Sequence, residues 1–264
     1  MNSENTSVTI CITRAKAAFQ QFLTQFDTSD PKIALKIRHT YGVMDACDYL
    51  AKAMHLSETD HQLALLIGLL HDIGRFEQLT RFNSYDDNLL PHAECGLEVL
   101  FDQNHIRDFV TTDKYDDIIY HAIKNHSTYA IDSSLTGQKL LHAQIIRDAD
   151  KLDNFRVKTE DSIPAMLDVT EEELGQESVT DTIFQCFKDH KLILKSDRRT
   201  HMDMWISYLA FIFDFNFPAS YQFVLDHDYI NLNIDRIPYS NPDTAEKMAQ
   251  IKEIASSYCK EKAI

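Results

Sequence analysis

Chain breakers are scarce here: six glycines and six prolines in 264 residues suit a protein built of long, rarely interrupted helices. Cysteine is sparse as well. Cys11, Cys47, Cys95, Cys186 and Cys259 are odd in number, widely scattered and never form a C-x-x-C pair, so a reducing cytosol fits best. No long hydrophobic run exists. The most apolar stretch, LALLIGLL at 63–70, is far too short to cross a bilayer and reads as a core helix. The opening MNSENTSVTI lacks the cationic start and apolar segment of a signal peptide. A cytoplasmic protein that does not span a membrane is therefore expected. Positive charge is also in short supply, with 26 Lys and Arg against 41 Asp and Glu, a net charge of -15 and a pI near 5.1. Such a field repels phosphate backbones and argues against a non-specific grip on DNA or RNA. An anionic small molecule would need locally placed cations or a metal to overcome it.

What is present is apolar patterning of period 3.6 nearly everywhere, with turn signals between segments of helical length. The expected fold class is all-α, and the length allows a sizeable core with an added subdomain. A first helix is expected over 8–26, after leading residues where disorder is confined. Asp30-Pro31 opens a second, which carries His39. Ser57 followed by Asp60 resembles a capping box, and the helix after it is apolar on every side, so it must be buried. Gly74 offers a stop, which leaves His71 and Asp72 in the last turn of an interior helix, where a polar pair needs partners or a metal. A polar loop over 80–91 ends at Pro91. Helices follow at about 92–103, 113–126 and 138–155, and the acidic stretch 168–177 reads as a solvated linker or helix start. The aromatic run WISYLAFIFDFNF and a final helix from about 242 give the C-terminal region a different texture. A buried helix is the plain reading of the run, and a lid or dimer face the sharper one.

Chemistry concentrates at His39 in KIRHTYG, His71 and Asp72 in GLLHDIGRFEQ, and Asp150 in IIRDADKLDNFR, each on an expected helix with apolar neighbours. Two imidazoles and two carboxylates supply N and O donors whose burial a divalent cation offsets. The plainer alternative is a buried His–Asp hydrogen-bond network. Asp148 and Asp150 point about 200° apart on a helix, so both cannot face one site, and patterning does not decide between them.

This H…HD…D order resembles the HD superfamily of metal-dependent phosphohydrolases. The segments FNSYDD at 82–87, PHAECG at 91–96 and AIKNHS at 122–127 are similar to those of small bacterial HD proteins, so the likeness covers 31–156. The resemblance implies an HD helical bundle over 1–156 and a C-terminal helical extension over 157–264 packed on it. It implies that His39, His71, Asp72 and Asp150 hold the metal, because the family's A-D-x-x-[HD] setting matches Ala149 to Asp153. Asp148 is then a candidate for orienting a ligand. Arg75 and Lys151 are the expected phosphate-binding cations, each weighed against a plain salt bridge. Glu77 and Glu94 are possible general acids or bases by proximity in sequence alone. Relatives with a second metal use added histidines, and His92 and His126 stand in the corresponding stretches. His121 reads as a core or surface residue. The expected catalytic set is Asp72, His92 and His126, the two histidines preferred as phosphate donors or proton shuttles beside a single ion, with one or two ions of Mn, Fe, Ni, Co, Mg or Zn. The expected partner is a small phosphorylated substrate such as a nucleotide, with a homodimer as a further expectation. The order H…HD…H…H…D also resembles di-iron HD oxygenases, and a non-catalytic regulatory module is the third reading.

Overall fold

The computed structural model describes residues 10–85, 87 and 90–263, in which every regular element is a helix. The expectations for residues 1–9, including the start of the first helix at 8, and for Asp86 of the FNSYDD segment lie outside the described residues. The chain divides into two compact units, Met1–Asp150 and Lys151–Ile264.

The first unit holds α1 (Ile12–Leu23), α2 (Pro31–Ala53), α3 (Glu58–Leu70), α4 (Ile73–Phe82), α5 (His92–Leu97), α6 (Ile106–Phe109) and α7 (Asp116–Asn125), and most of α8 (Gly137–Glu160). Pro31 sits at the first helical position of α2, and the Asp30 carboxylate accepts from the Lys32 and Ile33 amides, which fixes where this helix starts. Ser57 caps α3 by accepting from the Asp60 amide. From Leu63 onward α3 is buried on nearly every side, as its unbroken apolar sequence demands. It lies close against α2 because Gly68 has no side chain. A Cβ there would stand 3.1 Å from Cys47 Sγ and 3.4 Å from Met44 Cα.

Gly74 does not stop the helix as expected. The α3 ladder ends at Leu70, His71 and Asp72 form the break, and Gly74 lies in the first turn of α4. Its role is spatial: a Cβ would fall 2.2 Å from the His92 carbonyl and 2.4 Å from the Gly96 amide, so only glycine lets α4 and α5 meet. Asn83 in the left-handed conformation ends α4 instead. A π-helical turn over Glu98–Asp102 follows α5.

The second unit takes the rest of α8, then α9 (Ile163–Leu167), α10 (Glu171–Gln176), α11 (Asp181–Lys188), α12 (His201–Leu209), α13 (Pro218–Asp226), α14 (Tyr229–Asp235) and α15 (Pro242–Lys262). The acidic stretch is a helix start, with Thr170 and Glu173 forming a reciprocal capping box. The aromatic run continues α12 into a 3-10 turn over Ala210–Asp214. Trp205, Ile206, Leu209, Ala210 and Ile212 are buried, so much of it packs in its own unit's core. Among the described residues no helix is long and apolar enough to cross a membrane.

Candidate metal centre

Four elements of the first unit deliver imidazoles and carboxylates to one place. His39 comes from the middle of α2, His71 and Asp72 from the α3–α4 break, His92 from the first turn of α5, and His126 from the residue that ends α7. Asp150 on α8 joins them. His39 Nε2 stands 3.0 Å from Asp150 Oδ1 and 3.8 Å from Asp72 Oδ2. His71 Nε2 stands 3.7 Å from Asp72 Oδ2 and 3.9 Å from Asp150 Oδ1. Asp72 faces a second group with its other oxygen: Oδ1 is 3.4 Å from His92 Nε2 and 3.8 Å from His126 Nε2, and those two nitrogens are 2.9 Å apart. The four histidine side chains and that of Asp72 are buried, whereas Asp150 keeps 22% of its side chain accessible.

The hydrogen bonds behind these rings decide which nitrogens carry protons. His71 Nδ1 lies 2.8 Å from the Gly68 carbonyl and His126 Nδ1 lies 2.6 Å from the Ile123 carbonyl. A carbonyl can only accept, so both Nδ1 atoms are donors, and in the neutral ring Nε2 then bears the lone pair. His92 Nδ1 donates in the same way to Asp87 Oδ1 at 2.6 Å. His92 and His126 therefore point lone pairs at each other and at a carboxylate. His71 Nε2 is buried without any hydrogen-bond partner.

Unpaired acceptors packed this closely are costly unless a cation or proton stands among them. The two triads His39–His71–Asp72 and Asp72–His92–His126 each bring one donor atom per residue within 4.8 Å of the others. Ligands bonded at about 2.0–2.2 Å to one ion stand roughly 3–3.5 Å apart, so these separations are close to those of a coordination shell. The residues fit one or two divalent ions that share Asp72.

The electrostatics agree. Burial pushes His71 down to about 4 despite the opposing charge of Asp72, and pushes His92 to about 4 against its bond to Asp87. Both rings are thus neutral, as metal ligands must be. Burial alone would raise Asp72, yet Lys36 and the imidazoles hold it well below the usual carboxylate range. For Asp150 burial is likewise outweighed, chiefly by the bond and charge of His39.

The second sphere departs from the sequence expectations. Arg75 spends Nη1 on Asp87 at 2.8 Å, Gln78 at 2.7 Å and the Tyr85 carbonyl at 3.0 Å, while Nε lies 3.7 Å from Asp72. Gln78 in turn donates to the Leu90 carbonyl at 2.6 Å, so Arg75 and Gln78 pin the loop that presents Asp87 to His92. Lys151, in the second unit, pairs with Asp214 at 2.8 Å. His121 pairs with Asp117, Glu77 with Arg81, and Glu94 is exposed. Asp148 is fully buried. Lys36 was not anticipated: its Nζ lies 2.9 Å from Asp72 Oδ2, one helical turn before His39. That spacing was the available signal. His126 is held from behind by Arg147, which donates to the Asn125 carbonyl at 3.0 Å and so closes the C-terminal end of α7.

A model of the HD domain family matches residues 37–154, a span that contains all six clustered residues. No curated protein and no solved structure matches the chain.

Proposed function

The chain carries an HD domain over residues 37–154, and from that premise we propose that it is a metal-dependent phosphohydrolase. Its substrate is a phosphate ester or anhydride of a small metabolite, with nucleotides foremost. The observation that carries this reading is the convergence of the Nε2 atoms of His71, His92 and His126 on the two oxygens of Asp72. A bound divalent cation supplies Lewis acidity, lowering the pKa of water and offsetting charge that develops on a phosphoryl group.

His39, His71, Asp72 and Asp150 would hold the first ion. Asp72, His92 and His126 would hold a second. Asp150 is the most accessible member of the set, so substrate approaches from its side. Lys36 is the cation nearest the cluster, and its ammonium, now on Asp72, is placed to meet a phosphate oxygen when a metal takes that carboxylate. Arg75 acts through Asp87 rather than on substrate, since its Nη1 is committed to the loop.

The test is metal analysis of the purified chain followed by a phosphomonoester and nucleotide panel with Mn, Co, Ni, Mg or Fe(II). Release of phosphate or pyrophosphate is expected, falling by at least about 100-fold in His71→Ala. A metal-loaded, folded protein that turns over nothing on the panel would refute the assignment. The second triad also suits a di-iron oxygenase. Substrate-dependent oxygen uptake with two irons per chain would mark that outcome.

A further inference from the structure

One cavity of the first unit plays no part in the metal centre. A cleft of about 440 Å³ opens beside α1 and α6, lined by Arg14, Gln21, Phe22, His105, Arg107 and Phe109 among others, none of which belongs to the cluster. Its size falls within the range of small-molecule sites, which bury a planar body on apolar walls and orient it with a few polar groups.

The charges in it are unusual for this chain. Acidic side chains outnumber basic ones by 41 to 26, so an arginine ordinarily has a carboxylate at hand. Arg14 has none among the described residues: its Nη2 donates only to the main-chain carbonyls of Arg107 at 3.2 Å and Asp108 at 3.5 Å. Those bonds hold its guanidinium against α6 while leaving its charge uncompensated. Arg107 donates to Asp116 from Nη2, but its Nη1 is buried with no partner. The one carboxylate in the lining, Asp108, is taken by His105 Nδ1 at 2.9 Å. Beside these cations the Phe22 ring meets the His105 ring edge-on at 6.5 Å, and Phe109 and Ala18 extend the apolar wall. Gln21, Gln25 and Thr24 add amides and a hydroxyl along the rim. One guanidinium without a carboxylate, and a second that pairs with Asp116 through Nη2 and has no partner at Nη1, stand next to aromatic surface and are complementary to a phosphate carried on a planar ring.

We propose that this cleft binds a phosphorylated small molecule with an aromatic body, its phosphate on Arg14 and Arg107 and its ring against Phe22 and His105, as a site separate from the metal centre. This does not depend on the hydrolase reading, because no residue is shared.

The experiment is calorimetric titration of AMP and of inorganic phosphate into the full chain with EDTA present, using wild type, Arg14→Ala and His71→Ala. Arg14 is exposed, so its replacement leaves the fold in place, and an unchanged urea midpoint checks this. Saturable AMP binding is expected, at least tenfold tighter than phosphate, weakened tenfold or more by Arg14→Ala and unchanged by His71→Ala. Absence of saturable AMP binding up to the order of millimolar concentrations, equal affinity in Arg14→Ala, equal affinity for AMP and phosphate, or loss confined to His71→Ala would each overturn the proposal.

Discussion

At the scale of single residues the centre depends on proton placement, and Asp87 is where that placement is most exposed to test. It fixes the donor face of His92 and thereby turns the other nitrogen inward. Asp87→Asn should weaken the second ion by about 10–100-fold and leave the first, which calorimetric metal titration resolves as a fall in stoichiometry toward one. Acid should also destabilise the metal-free protein. His71 and His92 titrate near 4 when folded and near 6.5 when ordinary, so between those values the unfolded chain binds protons that the folded chain refuses. Their stabilisation is complete above about pH 6.5 and is lost as pH falls toward 4, at up to about 1.4 kcal/mol per pH unit for each ring. Urea midpoints in EDTA should fall over that interval; a flat profile from pH 7 to 4.5 would contradict the burial argument. Most of the cluster was legible in the sequence, since H…HD…D and the two extra histidines lie on strongly patterned helices. Asp148 against Asp150 was not, because both flank apolar positions. Asp87 sits in a loop where periodicity carries no information, so the resemblance that made Arg75 a phosphate-binding cation gave no sign of its bond to that loop.

At the scale of elements, the helices with caps and long apolar faces were readable. The α2 start at Asp30-Pro31, the buried α3 and the last helix from Pro242 follow from local chemistry. The short helices of the second unit were not, because α9, α11 and α14 have eight residues or fewer and depend on packing rather than propensity. Gly74 shows a second kind of illegibility. A glycine after a helical stretch signals a stop, yet here it permits a close crossing between α4 and the helix that follows it. Gly74→Ala should therefore cost about 3 kcal/mol or more, since backbone rather than a flexible side chain blocks the new methyl. Because that backbone belongs to His92, the variant should lose second-ion affinity along with its thermal midpoint. A variant with a wild-type midpoint would show that α4 and α5 can part without penalty.

For the molecule as a whole, the acidic surface and the cationic exceptions belong together: an excess of carboxylates discourages polyanions, while a few pinned cations can still admit small ones. The division of the chain into two units after Asp150 falls within one uninterrupted helix, Gly137–Glu160. Excising the first unit at that point would leave Asp150 as the terminal residue of a fraying turn whose carbonyls have lost their N–H donors. A fragment ending at residue 150 should bind metal far more weakly than one ending at 160, as equilibrium dialysis would read. The ten residues of helix past the aspartate thus serve the centre as splinting. Domain dissection by compactness alone would amputate a support that the metal site needs.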